Sequence, residues 1–316
     1  MKAIVTGGAG FVGSNLALAL EDKGWNVIVI DNFLTGDFHN LAEFRGDVIA
    51  DDVNAFDWNS LGRADAVFHQ AAITDTTLKD QKQMIAANVE GTRKALQFAA
   101  KMKAPFVYAS SAAQYGNEPA PQRENGPIRP LNVYAFSKML CDQLACRAWK
   151  EYKIPVTGLR YFNVYGLREQ YKAGAASMIY QLAEQMRAGK RPRIFSDGRQ
   201  MRDHIYVKDV VRANLNAFEA GKNGIVNVGT GKAVSFNRLI EVLNQVLETS
   251  LAPDYFDNPY AFYQNKTQAD TAAARKLIGF EASYGIEEGV RDYLTALYHL
   301  TSESRPRRKQ PAKARI

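Results

Sequence analysis

The chain has little of what a stapled, metal-built or membrane-spanning protein needs. Its 316 residues include only two cysteines, Cys141 and Cys146. That excludes a disulfide framework and a Cys-rich zinc site, and it fits a reducing cytoplasm. The four histidines, His39, His69, His204 and His299, show no metal-ligand spacing, so no metal is expected. No apolar run approaches the ~18 residues of a membrane span. Nothing like a signal peptide precedes the first apolar run, Ala3-Ile4-Val5, so the expected location is cytoplasmic. Charged residues make up 23% and hydrophobic residues 46%, which excludes a disordered or collagen-like chain.

What is plentiful is positive charge, and it is unevenly placed. Lys and Arg number 40 against 33 Asp and Glu, for a net charge of +7. Six of those cations, Arg305, Arg307, Arg308, Lys309, Lys313 and Arg315, fall in the last twelve residues, and without them the remainder is +1. A nearly neutral body gives no reason to expect nucleic acid as a partner. Residues 301–316, poor in apolar side chains, read as a disordered basic tail.

Short apolar runs alternate with helical stretches. Strands are expected over 3–6, 27–30, 66–68, 106–109 and 156–160, with helices over 14–22, 84–100 and 133–152 between them. That order means βαβ units and a parallel sheet covered on both faces. After residue 165 the pattern loosens into helices over 176–188, 235–247 and 287–298 and strands over 205–207 and 225–228. The expected organisation is a Rossmann-type, doubly wound α/β domain over 1–165 and a smaller, mainly substrate-binding α/β domain over 166–300. Part of 203–225 is expected to pack back onto the first domain.

Gly7-Gly8-Ala9-Gly10-Phe11-Val12-Gly13 lies between the first strand and the first helix. A chain that must turn sharply, approach a pyrophosphate and pack helix on strand needs glycine there. The helix N-terminus then offers its amides to phosphate. Asp31 ends the second strand, where a carboxylate can bind ribose hydroxyls and repel a 2′-phosphate. The loop that follows, Asn32-Phe33-Leu34-Thr35-Gly36-Asp37, contains no Lys or Arg. NAD is therefore expected rather than NADP.

Tyr134 and Lys138 stand one helical turn apart, on one face. An ammonium beside a phenol favours the phenolate, so this Tyr can exchange a proton with a substrate hydroxyl. Ser110 and Ser111 end the strand over 106–109, where open α/β sheets bind ligands; Ser111 is the candidate to share the substrate oxygen with Tyr134.

Together these residues resemble the extended short-chain dehydrogenase/reductase family of nucleotide-sugar enzymes, over roughly 1–300. The motifs are most similar to those of its ADP-L-glycero-D-manno-heptose 6-epimerase branch. They are Tyr108-Ala109-Ser110-Ser111-Ala112-Ala113, Tyr115-Gly116, and Pro130-Leu131-Asn132-Val133-Tyr134 leading to Ser137-Lys138. Arg160-Tyr161-Phe162-Asn163-Val164-Tyr165-Gly166, Arg168-Glu169, Lys172 and Thr267-Gln268-Ala269-Asp270 complete the set. The resemblance implies a tightly bound cofactor that takes a hydride from C6 of an ADP-heptose and returns it to the other face. It implies two acid/base groups, Tyr134 and Lys172, with Lys138 also on the nicotinamide ribose. It further implies Asn163, Arg202 and Tyr263 at the substrate, Asp51 near adenine, and Ala71, Ala72 and Asn88 lining the cofactor. A homo-oligomer is the family's habit. Family dehydratases carry an Asp-Glu pair after the strand-end Ser or Thr; Ala112-Ala113 stands there, so dehydration is not expected. The heptose branch generally uses NADP with a Lys after the second strand, whereas this chain has Thr35-Gly36-Asp37, so NADP stays open as the alternative cofactor. A UDP-hexose 4-epimerase using Tyr134 alone is the alternative activity. A silent dinucleotide-binding protein touching nucleic acid through its tail is a weaker one.

Overall fold

Apolar runs too short for helices pair edge to edge into a sheet. The computed structural model describes residues 1–76, 78, 80–257 and 265–300, with only the backbone of Ala173. The expectations for Tyr263 and for the tail 301–316 lie outside the described residues. In chain order the strands are β1 (Lys2–Thr6), β2 (Asn26–Asp31), β3 (Asp47–Ala50), β4 (Ala66–His69), β5 (Phe106–Ser111) and β6 (Val156–Tyr161). There follow β7 (Asn163–Tyr165), β8 (Arg193–Phe195), β9 (Met201–Tyr206), β10 (Gly224–Val228), β11 (Ala233–Ser235) and β12 (Asp254–Phe256). The helices are α1 (Phe11–Asp22), α2 (Gln81–Ile85), α3 (Gly91–Met102), α4 (Val133–Glu151) and α5 (Met178–Arg187). Then come α6 (Val207–Ala220), α7 (Phe236–Leu247), α8 (Ala272–Ile278) and α9 (Ile286–Tyr298).

Seven strands form one sheet in the order β10-β6-β5-β4-β1-β2-β3, and every pairing in it is parallel. The chain runs outward from β1 through β2 to β3, then returns to β4 on the other side of β1. That reversal opens a crevice beyond the C-terminal ends of β1 and β4. One face is covered by α1, α6 and α8, through Leu16, Leu20, Val210, Ala213 and Ile278. The other is covered by α3 and α4, through Leu96, Phe98, Leu144 and Ala148. A second core forms where α5, α7 and α9 pack around Tyr165 and Tyr206 from β7 and β9.

Three differences from the sequence expectation bear on function. Strand β3 was not anticipated: its short apolar run, Val48-Ile49-Ala50, is flanked by Asp47 and Asp51 and lies mostly exposed at the sheet edge. The helix expected over 84–100 is broken into α2, a π turn over Ala86–Glu90, and α3. And β10 joins the main sheet itself by pairing with β6 at its edge, beyond the packing back of 203–225 that α6 provides, so the sheet draws on chain well past residue 165.

Candidate active site

The glycine loop is as tight as its residues require. Gly7 has φ +68°, and a Cβ there would lie 2.5 Å from the Ala71 amide nitrogen. A Cβ on Gly13 would lie 2.0 Å from the Gly7 carbonyl oxygen. The loop is thus pressed between α1 and the segment that leaves β4. Gly10 caps α1 without any side-chain hydrogen bond, leaving the first amides of the helix for a ligand.

A cavity of about 440 Å³ opens at the crevice. Gly7 and Gly10 line it from the loop, Asp31 and Asn32 from the end of β2, Asp51 from the end of β3, and Ala71 and Ala72 from the end of β4. Seven of the residues expected at the cofactor therefore meet at one cavity. Phe11, Val12 and Gly13 do not line it; they form the start of α1 behind the loop.

Asp31 is nearly buried and works on both sides of its carboxylate. Oδ2 accepts the Ala9 N–H at 2.9 Å and Oδ1 accepts the Phe33 N–H at 2.8 Å. Burial pushes its pKa up and these amides pull it back. Asp52, which sequence reasoning passed over, also lines the cavity and accepts the Asn32 amide at 2.8 Å. Three carboxylates and no Lys or Arg line the cavity among the described residues. Such a lining suits ribose hydroxyls and disfavours a 2′-phosphate. The uncapped helix end, the close glycine cradle and this lining together fit NAD.

Asn88 differs from expectation. It stands behind the cavity, not on it: Oδ1 accepts the Ile73 N–H at 2.8 Å, and Nδ2 donates to the Ile73 carbonyl at 3.0 Å and to Ser137 Oγ at 2.9 Å. It stitches the cavity-lining segment after β4 to α4. The π turn is what swings this side chain inward.

Asn132 caps α4 by accepting the Ala135 N–H at 2.8 Å, which fixes where the helix begins and so where Tyr134 and Lys138 fall. Lys138 is buried, and Nζ donates to the Ala109 carbonyl on β5 at 2.8 Å. Ser110 Oγ donates to Asp142 at 2.7 Å and is thereby spent. Ser111 Oγ accepts the Ala113 N–H at 3.1 Å, which leaves its own proton to give. α4 packs against the 3₁₀ turn Ala112–Tyr115 that Ser111 caps, bringing Ser111 and Tyr134 to the same end of the sheet.

Lys172 lies in a 3₁₀ turn, Gln170–Ala175, between β7 and α5. Its Nζ stands 5.7 Å from the centre of the Phe11 ring, at the start of α1. Burial lowers its pKa, against the opposing pull of Glu169. It is no solvated loop lysine. Asn163 Nδ2 donates to the Asp203 carbonyl at 3.0 Å and to Thr267 Oγ1 at 3.2 Å, so its amide nitrogen joins β7 to β9 and to the segment after residue 265. Arg202 Nη1 donates to the Met201 carbonyl at 2.8 Å. Asp203, which sequence reasoning did not single out, is the hub there. Its carboxylate accepts from Thr230 N and Oγ1, Gly231 N and Ala269 N. Only the fold reveals that, because its donors come from segments distant in sequence. Among the described residues no group of His, Cys, Asp and Glu is arranged to hold a metal ion, and no helix is long and apolar enough to cross a membrane.

Comparison with known proteins agrees with this geometry. Residues 3–229 match the model of the NAD dependent epimerase/dehydratase family, and the chain belongs to that family. An ADP-L-glycero-D-manno-heptose-6-epimerase from Helicobacter pylori is 38% identical, with a TM-score of 0.89 over 95% of this chain and 96% of that one. A UDP-glucose 4-epimerase from Thermotoga maritima, solved with UDP-glucose, is 30% identical, with a TM-score of 0.88 over 95% and 99%. A UDP-glucuronic acid 4-epimerase from Bacillus cereus, solved with UDP-glucuronic acid and NAD, is 28% identical, with a TM-score of 0.83 over 94% and 100%. The chain is an NAD-dependent enzyme of the nucleotide-sugar epimerase kind.

Proposed function

We propose that this enzyme interconverts the C6 epimers of an ADP-glycero-manno-heptose, with Tyr134 and Lys172 as its two acid/base groups. The observation that carries the reading is the position of Lys172, drawn from the loop after β7 onto Phe11 at the mouth of the glycine loop and depressed in pKa by burial. An amine poised below its ordinary pKa exchanges protons more readily near neutral pH. A 4-epimerase that works with one Tyr has no need of it.

Bound NAD, held by the glycine loop, Asp31 and the segment after β4, supplies the hydride acceptor and donor. The rest is proton handling by the chain. With the sugar in one orientation, the Tyr134 phenolate takes the proton of the C6 hydroxyl, and Ser111 hydrogen-bonds the same oxygen. After the sugar turns, the Lys172 ammonium gives a proton to that oxygen. The reverse reaction uses the two groups in the opposite order. Lys138, one turn along α4 and resting on the Ala109 carbonyl, would hold the nicotinamide ribose. Arg202 and Asn163 serve the nucleotide pyrophosphate, and residues 166–300 form most of the substrate-binding part.

The test uses purified holoenzyme offered ADP-D-glycero- and ADP-L-glycero-manno-heptose and, separately, UDP-glucose. Conversion of each heptose epimer to the other is the expected result. Turnover of UDP-glucose with none of the heptoses would replace this reading with the 4-epimerase. Release of NADP instead of NAD on denaturation would overturn the role given to Asp31.

A further inference from the structure

The loop that carries Lys172 is closed by a single carboxylate. Residues 166–177 leave β7 at Gly166 and enter α5 at Ser177, which caps that helix by accepting the Tyr180 N–H at 3.2 Å. Glu169 lies between them at 1% exposure. Its Oε1 accepts from the Gly166 N–H at 3.0 Å and from Ser177 Oγ at 3.0 Å, and its Oε2 accepts from the Ser177 N–H at 2.6 Å. Both ends of the loop therefore converge on one side chain. The backbone of the same residue closes the turn under the lysine: the Lys172 N–H donates to the Glu169 carbonyl at 2.9 Å.

The outer side of the loop is anchored separately. Arg168 adopts a left-handed backbone with φ +76°. Its Nη2 meets Glu43 at 2.7 Å, and its Nε donates to the Asn40 carbonyl at 3.3 Å. Asn15 on α1 donates to the Leu167 carbonyl at 2.9 Å. Between these anchors the Lys172 ammonium stands 5.7 Å from the centre of the Phe11 ring.

We propose that Glu169 is the positioning residue of Lys172: it closes the 166–177 loop from within and sets both the place and the charge of that ammonium. The proposal rests on the two-group reading above. Burial raises the pKa of Glu169, and the donors from Gly166 and Ser177 pull it back by favouring the ionised form. What faces Glu169 from neighbouring elements is phenolic: Tyr165 on β7, Tyr180 on α5 and Tyr293 on α9. What faces Lys172 is the Phe11 ring of α1 and Glu169. A negative charge on Glu169, three residues before Lys172, opposes the loss of basicity that burial causes there.

The experiment reads Lys172 directly, in the NAD-loaded full chain. Lysines are reductively methylated with an isotope-labelled methyl donor, the Lys172 signal is assigned by its loss in Lys172→Arg, and its titration is followed by NMR. Glu169→Gln keeps the shape and removes the charge. The expected result is a Lys172 titration about one pH unit lower, a kcat at least about tenfold lower, an unchanged KM and full NAD content. Glu169→Asp keeps the charge but is too short to reach both loop ends, so it should restore most of the titration and little of kcat. An unmoved Lys172 titration in a folded, NAD-loaded Glu169→Gln protein overturns the proposal. Should that variant not fold, Ser177→Ala removes one donor and leaves the charge; faster amide exchange over 167–176 with reduced kcat supports the proposal, and unchanged exchange overturns it. If wild-type enzyme ignores both heptoses while Glu169→Gln still shifts Lys172, the substrate reading fails and the Glu169–Lys172 coupling stands.

Discussion

Asp31 at the end of β2 holds the glycine loop by accepting the Ala9 N–H at 2.9 Å, so the residue proposed to face the cofactor ribose also shapes the cradle for its phosphates. Replacing it therefore does two things. Asp31→Ala leaves the Ala9 and Phe33 amides without their acceptor, at a cost of about 1–3 kcal/mol for buried donors. It also removes the ribose contact. The expected outcome is a lower thermal midpoint and loss of most NAD during gel filtration, measured as nucleotide released on denaturation. NADP binding should not appear in exchange, because the cavity offers no cation to a 2′-phosphate among the described residues. Full NAD retention would contradict the role given to this carboxylate.

Tyr134 and Lys172 come from different elements and do not line the cofactor cavity. Tyr134→Phe and Lys172→Ala should therefore each keep NAD and lose turnover of the heptose epimers. The loss expected for removing a positioned acid/base group is about 10²–10⁴-fold in kcat. Steady-state rates on both epimers, with NAD content measured on the same samples, check this. Wild-type turnover by Lys172→Ala would end the two-group assignment.

The sheet was legible because its strands are short apolar runs bounded by turns and separated by helices. β3 escaped because its run is only Val48-Ile49-Ala50, set between Asp47 and Asp51, with Val48 exposed at the sheet edge. Its loss hid Asp52 as well, since only the end of β3 brings that carboxylate to the cavity. The sites that glycine spacing and the Tyr134–Lys138 turn define could be read directly, because their geometry is local. Asn88 could not be sorted into lining or backing from sequence, since the π turn that aims it follows from packing between α2, α3 and α4. Lys172 and Glu169 were visible as motif letters only. Nothing in a loop containing Lys172, Gly174 and three alanines says that Phe11, far away in sequence, lies beneath it, or that Ser177 closes on Glu169.

His204 offers a pH test of the second core. It lies beside Tyr165 and Phe236, and neither ring nitrogen has a hydrogen-bond partner among the described residues. Burial, with Arg202 nearby, lowers its pKa from 6.5 to about 3. The unfolded chain therefore binds a proton that the folded chain refuses between those values. The stability from neutral His204 is fully present above pH ~6.5 and declines by about 1.4 kcal/mol per pH unit as pH falls toward the folded value. His204→Phe keeps the ring and removes the two unsatisfied nitrogens. It should stabilise the protein at pH 7 by about 1–2 kcal/mol. It should also flatten the acid limb of stability against pH by about one proton. Urea midpoints between pH 4 and 7.5 for both proteins measure it, and parallel curves would show that His204 is not the group responsible.

Behind the proposed catalytic face, Asp142 on α4 gathers four donors. Oδ1 accepts from Tyr108 Oη at 2.8 Å and Ser110 Oγ at 2.7 Å, and Oδ2 accepts from Gln114 Nε2 at 2.9 Å and Arg160 Nε at 3.0 Å. Both charged side chains are about 6% exposed. Desolvating two charges costs nearly what their attraction returns, so the pair adds little over a well-packed apolar replacement. Breaking it from one side is different. Asp142→Asn leaves without its anion a buried guanidinium that also donates to Tyr115 Oη at 2.8 Å, and should cost about 3–5 kcal/mol. Arg160→Met should cost a comparable amount by leaving the carboxylate without its cation. The double change Asp142→Asn with Arg160→Met removes both charges and keeps an acceptor for Tyr108 or Ser110. Its cost should fall well below the sum of the single changes. A double-mutant cycle on urea midpoints measures the difference. Additive costs would mean that the neutral network around Tyr108, Ser110 and Gln114, and not the ion pair, joins α4 to β5 behind Ser111.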